Sequence, residues 1–487
     1  MSGSLKRTSA ASWLLLAPLA ALAAGLVWRS RAWPLVHDAP IMQYLAWRIS
    51  EGAAPYRDLF DMNFPGVYLI HLVVLAVFGA SDAGWRAFDL LWLLAVALCV
   101  AALVRPWGRV AAAGAALFFA SYHVAGGAWQ AGQRDFLLVP FLLLGALGVA
   151  RWAETGAEWG LLWGGLALGA GLMVKPHAAL LAAGLLALVA VVARRRGGAV
   201  WVPLAILALA TLVVPMLTTV WIAARGALGA WREIVFEYLL PLYSRLGRPA
   251  QWTVWRWEAW IPIAVGVVVT LASAAAHRRF GARHAVVAIG LGYGLVHFVA
   301  QGKGWEYHLY PLAAFAAVLL FAEVEALLRA RRWAPAALAL ASVAVAAGLL
   351  GVKGVEASAT PWIAEKQERV RALVRDLAGR VGPGEYVQVL DTTDGGIAAL
   401  LRLRIVQPTR FVYDFPFYHD TDTPIVHRLR AYFAEEFDRR PPKFVVLFER
   451  GWPTGGYARV QQFGSLRLRL STYRVDRRGP GYIVYAR

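Results

Sequence analysis

Apolar runs of about 20 residues, the length of helix that crosses a bilayer core, recur along the chain between residues 12 and 351. Hydrophobic residues make up 59% of the 487 residues and charged residues only 16%, so the runs are too many for the core of one soluble domain. The predicted fold class is mainly α, a polytopic transmembrane helical bundle. About eleven spans are expected, at residues 12–28, 85–104, 109–122, 135–151, 158–174, 177–193, 200–224, 258–275, 284–300, 309–328 and 333–351.

The basic residues between these runs indicate which connections face the cytoplasm. The positive-inside rule places one set there, provided that residues 67–80 do not cross: Lys6 and Arg7, Arg105 and Arg109, Arg151, Arg194 to Arg196, Arg278 to Arg283, and Arg329 to Arg332. The segment VYLIHLVVLAVFGA at 67–80 is short for a span and contains His71, so we expect an interfacial or re-entrant helix. The N-terminus is then cytoplasmic, and residues 29–84 form the first periplasmic loop. A cleaved signal peptide at residues 12–28 is an alternative that leaves the later topology unchanged.

The sequence changes character after the last apolar run. The stretch EKQERVRALVRDLAGRVGPGEYVQVLD predicts an amphipathic helix, a turn and a strand, and VHRLRAYFAEEFDRRPPKFVVLF repeats that order. We therefore predict a transmembrane domain at residues 1–354, with a second large periplasmic loop at 226–257, and a small α/β periplasmic domain at 355–487. The DTTDGG stretch at 391–396 is typical of a turn at a strand end, with a phosphate or metal cradle as the alternative.

Composition argues against two classes of function, redox chemistry and nucleic-acid binding. The single cysteine, Cys99, has no partner for an intramolecular disulfide, so redox chemistry is not expected. The net charge of +19 is dispersed in short clusters between apolar runs, and the chain has 22 Trp. This pattern indicates membrane lipids as the partner and no nucleic acid.

Polar residues gather on the predicted non-cytoplasmic side. They are Asp38, Arg57, Asp58, Asp61, Gln133, Arg134, Asp135, Lys175, His177, Arg232 to Arg248, Lys303, Glu306, Tyr307 and His308. A charged side chain at the bilayer centre costs about 2.5–3.5 kcal/mol on insertion scales, so charges on several loops of one face suggest a shared polar cavity. Each of these residues also has a purely structural interpretation. Lys175 and Arg134 could extend their charged ends to the membrane surface, Asp135 could be stabilised by the dipole at a helix N-terminus, and Asp58 could form an ion pair with Arg57.

These residue types suit the chemistry of a lipid-linked phosphate. Carboxylates from different loops can bind a divalent cation, Mg²⁺ or Mn²⁺, or take a proton from a hydroxyl group. Lysine and arginine side chains can hold a phosphate leaving group. Acidic and basic groups together at a membrane surface fit such a transfer better than ion conduction.

Several motifs carry a resemblance to a known family. The stretch HDAPIMQYLAWRISEGAAPYRDLFDMNFPGVYLI, continuing to FGASDAGWRAFDLLW, resembles the first periplasmic loop of C-type membrane glycosyltransferases, the group of the protein O-mannosyltransferases and the lipid A aminoarabinose transferases. GQRDFLL, GLMVKPHA and KGWEYHLYPLAAFAAVL resemble later elements of that family in the same order. The resemblance covers residues 12 to 330.

The resemblance implies roles for individual residues. Asp38 would be the general base or the acid that organises the acceptor, and Asp135 would be the second catalytic acid; together they are the candidate metal ligands. The implied contacts to the donor phosphate are Lys175, Lys303, Tyr307 and Arg134, and the secondary or metal-binding candidates are Asp61, His308 and Gln133. DMNFPG lacks the Lys-Pro-Pro of the aminoarabinose enzymes, and Asp38 is followed by Ala where the O-mannosyltransferases have a second acid.

The function expected from this resemblance is transfer of a hexose or pentose from a polyprenyl-phosphate donor to an acceptor hydroxyl group at the periplasmic face of the bacterial inner membrane. The family favours inversion at the anomeric carbon, and a retaining reaction stays open. The acceptor is a glycan, a lipid or a protein. Two alternatives are a transporter or flippase, which should show paired halves, and a non-catalytic lipid-binding membrane protein of the cell envelope.

Overall fold

The computed structural model describes residues 13–246, 257–358 and 361–487. A helix lies at each predicted span. These helices are Ala17–Ser30, Asp82–Val104, Arg109–Ala125, Arg134–Thr155, Trp159–Val174, Ala178–Arg195, Trp201–Ala224, Trp257–Ala276, Ala282–Gln301, Tyr310–Ala322 with Val324–Arg329, and Trp333–Ser358. The basic pair Lys6 and Arg7 and the part of the second predicted loop at residues 247–256 lie outside the described residues.

The lengths of these helices confirm a polytopic membrane protein. Within the described residues, eight helices are long and apolar enough to cross a membrane. The helices at the other three predicted spans are shorter: Ala17–Ser30 has 14 residues, Arg109–Ala125 has 17 and Trp159–Val174 has 16. Length and composition thus support eight of the eleven predicted spans, and the sidedness of the termini stays a prediction.

The chain divides into two compact units. The first, which we call the membrane unit, comprises the described residues of 1–33, 86–218 and 247–359. The second, the loop unit, comprises residues 34–85, 219–246 and the described residues of 360–487. The first periplasmic loop therefore folds with the C-terminal segment. The predicted domain boundary at residues 354 and 355 stays a prediction.

Close helix packing in the membrane unit depends on small residues. The Arg134–Thr155 helix packs against Trp159–Val174, and a Cβ atom at Gly148 would lie 2.3 Å from the carbonyl oxygen of Gly160. Only glycine allows such an approach of two backbones. The Tyr310–Ala322 helix is buried on all sides, so it forms part of the core of this unit.

The loop unit contains a four-stranded sheet. Its strands are β1 (Val387–Leu390), β2 (Phe444–Phe448), β3 (Arg474–Gly479) and β4 (Tyr482–Ala486), in the order β1-β2-β4-β3. Strands β1 and β2 are parallel, whereas β4 is antiparallel to both of its neighbours. The helices of this unit are Ala39–Ser50, Pro65–Phe78, Leu228–Glu233 with the π-helix Ile234–Leu239, Pro361–Leu377, Gly396–Leu403, Pro424–Arg439 and Gly464–Leu470. The two predicted helix–turn–strand repeats, and with them the α/β character of the C-terminal segment, are confirmed.

Two hydrogen bonds show how the first loop joins this segment within the loop unit. The Gln407 N–H donates to the Tyr44 hydroxyl oxygen at 3.0 Å, and the Phe60 N–H donates to the Arg410 carbonyl oxygen at 2.8 Å. The Pro65–Phe78 helix of the same loop has 14 residues, which is short for a span. Its length agrees with the expectation that it does not cross, and its position along a membrane surface stays a prediction.

Candidate active site

Asp135 lies at the centre of a buried polar cluster in the membrane unit. It occupies the first turn of the Arg134–Thr155 helix, where the helix dipole favours a carboxylate, and its side chain is fully buried. One carboxylate oxygen, Oδ2, lies 2.7 Å from Lys175 Nζ, and the other, Oδ1, lies 2.6 Å from His297 Nε2. Both oxygens are therefore engaged by nitrogen groups of other helices.

Lys175 reaches Asp135 from the joint between two helices. The Trp159–Val174 helix ends here because Pro176 disfavours helical backbone at the preceding residue. Lys175 is accordingly extended, with φ −146° and ψ 124°. The Lys-Pro element thus stops one apolar helix and turns the lysine side chain into the interior of the unit.

His297 and Gln301 complete this arrangement from the end of the Ala282–Gln301 helix. They lie one turn apart, so their side chains share a face of the helix. Gln301 accepts a hydrogen bond from the Lys175 ammonium through Oε1 and donates to Asp135 Oδ1 at 3.4 Å through Nε2. We call Asp135, Lys175, His297 and Gln301 the Asp135 cluster.

The loop that follows Gln301 carries Lys303 and His308. Gly302 and Gly304 flank the lysine with φ of 62° and 63°, a left-handed conformation that glycine adopts without strain. The His308 ring centroid lies 6.5 Å from that of His297, and both imidazoles are buried. The turns at Gly302 and Gly304 therefore reverse the chain so that His308 lies near His297 of the Asp135 cluster.

Like charges act on one another in this region. Burial, opposed by the nearby Asp135 carboxylate, lowers the pKa of Lys175 to about 8. Burial and the Lys175 charge lower the pKa of Lys303 to about 8. Arg134, which is half-buried, also acts electrostatically on Lys175. An anion bound here would stabilise the charged form of both lysines.

Tyr307 and Gln133 both lie close to Trp129. The Tyr307 ring centroid is 5.7 Å from that of Trp129, and Gln133 Nε2 donates to the Trp129 carbonyl oxygen at 3.0 Å. Both residues are buried in the membrane unit. Their predicted contacts to a donor phosphate stay predictions.

Asp38 belongs to the loop unit. It precedes the Ala39–Ser50 helix, and its side chain is 16% exposed. The preceding residue, His37, has a φ of 62°, a conformation that a side chain other than glycine rarely adopts. His37 lines a groove together with Lys366, Asp391 and other residues of the C-terminal segment, and the charges that act on Lys366 include Asp38.

Asp61 is also in the loop unit and is fully buried. Its carboxylate accepts hydrogen bonds from the Met62 N–H at 2.9 Å, from Asn63 Nδ2 at 2.9 Å and from the Tyr68 hydroxyl at 2.7 Å. These neutral donors come from its own loop. The geometry therefore favours a structural acid that shapes the loop, and the predicted secondary or metal-binding role stays a prediction.

Two interpretations of acidic residues as structural are confirmed in the loop unit. Arg57 Nε and Nη2 each lie 2.9 Å from an oxygen of Asp58, the expected ion pair. In the DTTDGG stretch, the Asp391 carboxylate accepts the backbone N–H groups of residues 394, 395 and 396 at 2.7–3.0 Å. This is the predicted turn.

The geometry around Asp135 does not fit a divalent cation, because the Lys175 ammonium and the His297 imidazole occupy its two oxygens. Within the described ranges, no group of three or more His, Cys, Asp or Glu side chains is arranged to hold a metal ion. The Mg²⁺ or Mn²⁺ expected from the sequence thus stays a prediction.

The structure brings Asp135, Lys175, Lys303 and His308 together in the membrane unit. Asp38 and Asp61 belong to the loop unit, and the expected convergence of Asp38 with Asp135 stays a prediction. Two residues of this region were not predicted from the sequence: His297, which lies inside an apolar run, and Lys353, which forms an ion pair with Glu306. An ionisable residue within a span is itself a signal of function, and it would have identified His297.

The long apolar helices of the membrane unit and the mixed α/β segment of the loop unit define a class of protein. The chain has the fold of a C-type polytopic membrane glycosyltransferase, which confirms the resemblance seen in the sequence. Residues 64–221 match the model of a family described as dolichyl-phosphate-mannose-protein mannosyltransferase. The comparison with curated proteins found no match.

Particular solved structures share this fold. The crystal structure of ArnT from Cupriavidus metallidurans bound to undecaprenyl phosphate matches with a TM-score of 0.59 at 14% identity, over 98% of each chain. Its apo state matches with a TM-score of 0.58 at 13% identity, again over 98% of each chain. The archaeal oligosaccharyltransferase AglB from Archaeoglobus fulgidus, in complex with an inhibitory peptide and a dolichol-phosphate, matches with a TM-score of 0.51 at 12% identity, over 98% of this chain and 74% of that chain. At such identities the likeness concerns the fold.

Proposed function

We propose that this protein is a membrane glycosyltransferase that transfers a sugar from a polyprenyl-phosphate donor to an acceptor hydroxyl group at the periplasmic face of the inner membrane. The observation that carries the proposal is the gathering of Lys175, Lys303 and His308 around Asp135 inside an apolar unit. Buried ammonium groups of this kind are suited to a phosphate headgroup whose tail stays in lipid. Solved proteins of the same fold hold undecaprenyl phosphate or a dolichol-phosphate.

Lys175 and Lys303 are the groups that hold the donor phosphate in this proposal. When the bond between the anomeric carbon and the phosphate oxygen breaks, the oxygen keeps the electron pair and the phosphate gains negative charge. Cations already fixed in a site of low dielectric stabilise that charge without reorganisation. Asp135, through its contact with Lys175 at 2.7 Å, orients the ammonium group, so its role is to position a cation rather than to take a proton.

Asp38 is the proposed general base. It takes the proton of the acceptor hydroxyl group while the acceptor oxygen forms its bond to the anomeric carbon, which gives an inverted product. Its location next to His37 and the groove of the C-terminal segment supports a site where an acceptor could be bound by that segment. The donor sugar is a hexose or a pentose, and the acceptor is a glycan, a lipid or a protein.

The test separates binding from transfer. Full-length protein in detergent is titrated with undecaprenyl phosphate and, as a control, with undecaprenol, which has the same tail but no phosphate group. We expect the wild type to bind the phosphate at least tenfold more tightly than the alcohol, and Lys303→Met to lose most of that difference, because one buried cation contact is removed.

Transfer is then measured in proteoliposomes with polyprenyl-phosphate sugars labelled in the sugar. The Asp38→Asn variant should bind undecaprenyl phosphate like the wild type and lose about 10²–10⁴-fold in turnover, the usual contribution of a general base. Wild-type turnover in Asp38→Asn contradicts its role as base. Phosphate-specific binding without transfer to any envelope fraction would instead favour the lipid-binding alternative, and movement of the donor across the bilayer would favour a flippase.

A further inference from the structure

A second buried charged network lies in the membrane unit, outside the residues to which the family resemblance gives a role. Arg86 and Asp89 are one turn apart on the apolar Asp82–Val104 helix, and their side chains are 3% and 0% exposed. Ionisable side chains inside such a helix are costly and require partners. Their position therefore calls for a physical explanation.

The partners of Asp89 are held in a chain of polar contacts. Its Oδ2 atom forms an ion pair with Arg86 and accepts a hydrogen bond from His123 Nε2 at 3.1 Å. Because the carboxylate only accepts hydrogen bonds, Nε2 carries the His123 proton, and Nδ1 accepts from the Tyr310 hydroxyl at 2.8 Å. Arg86 in addition donates to the Ser30 hydroxyl oxygen. Asp89, Arg86, His123 and Tyr310 are called the Asp89 network.

The Asp89 network holds the segment that carries Asp135 from both sides. On one side, Asp89 Oδ1 accepts the Gly132 N–H at 3.1 Å, three residues before Asp135. On the other side, the His123 ring stacks on Phe136, the residue after Asp135, with centroids 4.0 Å apart and planes at 19°. The position of the Asp135 carboxylate is thus determined by contacts with the same network before and after it in the chain.

Tyr310 extends this control to the second segment of the site. It begins the Tyr310–Ala322 helix directly after the loop that carries Lys303 and His308. Its ring also packs against Phe136 at 5.2 Å. One network therefore contacts the segment that carries Asp135 and includes the residue that follows the loop of Lys303 and His308.

We propose that Asp89 is a positioning residue: the Asp89 network sets residues 132–136 so that Asp135 holds Lys175 in the geometry required for the donor phosphate. The inference rests on the proposed function. Every member of the network is buried. Its effect is transmitted through the Gly132 N–H and the Phe136 ring, and an error of about 1 Å at a reacting site costs up to about 10²-fold in rate.

The test compares two carboxylates that bridge an arginine and a histidine. In the Asp89→Asn variant the charge that holds Arg86 and His123 is lost. In the control, Glu323→Gln, the same change is made at Glu323, which is also buried and lies 3.1 Å from Arg279 Nη2 and 3.3 Å from His284 Nε2. Tyr310→Phe is a milder variant that removes one hydroxyl group from the network and keeps the ring.

The measured quantity is the Kd of full-length protein in detergent for undecaprenyl phosphate. If a variant only reduces the fraction of folded protein, fewer molecules bind, but the Kd of those molecules is unchanged. A change in Kd therefore indicates an effect on the geometry of the binding site. We expect Asp89→Asn to raise Kd about tenfold, Tyr310→Phe about threefold, and Glu323→Gln less than about twofold.

The outcomes are distinct. If the wild type binds and Asp89→Asn and Tyr310→Phe bind with the wild-type Kd, the inference is overturned and the proposed function stands. An equal rise of Kd in Glu323→Gln and Asp89→Asn also overturns it. If Asp89→Asn does not fold, the Kd of Tyr310→Phe alone decides. If the wild type does not bind undecaprenyl phosphate, the proposed function fails and the inference fails with it.

Discussion

Two clusters of the membrane unit each place a buried carboxylate between a basic side chain and a histidine, and they differ in their neighbours. In the Asp135 cluster a carboxylate lies between Lys175 and His297. At Glu323 a carboxylate lies between Arg279 and His284. Two further cations act with Lys175 as like charges: Arg134 acts on Lys175, and Lys175 acts on Lys303. Beside His284 in the chain, Arg283 is held by Glu154 through two hydrogen bonds of 2.6 and 2.7 Å.

This difference teaches that burial of a charge does not by itself indicate a binding site. Arg279 and Arg283 are each in direct contact with a carboxylate, Glu323 and Glu154 respectively, as expected for a structural network. Cations are gathered around Asp135 although like charges repel, which raises the free energy of that region unless an anion binds there. The two clusters therefore predict opposite responses to substitution.

The largest expected effect is on Lys175. The Lys175→Met variant should weaken binding of undecaprenyl phosphate by about 10²-fold, because it removes a buried cation and leaves the Asp135 carboxylate to repel the phosphate. The matched control is Arg279→Met, which removes the cation at Glu323. It should lower thermal stability, since it leaves the buried Glu323 carboxylate without its arginine partner, while the Kd of the folded protein stays within about twofold. The measurement is a lipid titration together with a melting curve for each variant. Equal losses of affinity in both variants would contradict the comparison.

The pH dependence of binding should distinguish the same two regions. The pKa values of Lys175 and Lys303 are each lowered to about 8, so their positive charge is lost as the pH rises through 8. We expect the affinity for undecaprenyl phosphate to fall about tenfold between pH 7 and pH 9.5. Loss of charge at the two lysines therefore accounts for the fall in affinity on the alkaline side.

Stability should change in the opposite direction over the same range. The unfolded lysines keep a pKa near 10.4, so between pH 8 and pH 10.4 the unfolded state binds more protons than the folded state. These two groups therefore make the free energy of unfolding rise with pH. Affinity that falls while the melting temperature does not would support the lysines as the cause. Constant affinity up to pH 10 would exclude them as the phosphate ligands.

The sequence predicted the helices and half of the site because both depend on local patterns. Apolar length marks each helix, and sorting charges by predicted side selected Asp135, Lys175, Lys303 and His308 from three separate stretches. The turn at Asp391 was equally local, since its three hydrogen bonds are to residues within five positions.

Other contacts had no local signal. His297 lies inside an apolar run, and its role depends on Asp135, 162 positions earlier in the chain. The bond between Tyr44 and Gln407 joins residues 363 positions apart, so the packing of the first loop with the C-terminal segment could not be predicted from either stretch. Arg86 and Asp89 were visible as charges in an apolar helix, but their partner His123 is on another helix.

The smallest expected effect concerns an exposed ion pair and shows what a charge pair outside the buried clusters contributes. Asp58 is 40% exposed and Arg57 50% exposed, so solvent screens their attraction. Burial raises the pKa of Asp58, but hydrogen bonds from Arg57 and the Ala54 N–H, with the Arg57 charge, lower it overall. Because the folded pKa is the lower one, the pair stabilises the fold above the usual pKa of aspartate and loses that contribution as the pH falls through the folded value.

We therefore expect Asp58→Asn to lower the free energy of unfolding by no more than about 1 kcal/mol at pH 7. In the full-length protein of 487 residues this is a fall of about 1 °C in melting temperature, with wild-type turnover and wild-type lipid affinity. Asp422→Asn, a substitution of another exposed carboxylate in the same unit, is the control and should leave the melting temperature unchanged. A loss of turnover in Asp58→Asn at wild-type stability would show that Asp58 takes part in catalysis. The active site of this protein would then include an exposed ion pair as well as the buried cations around Asp135.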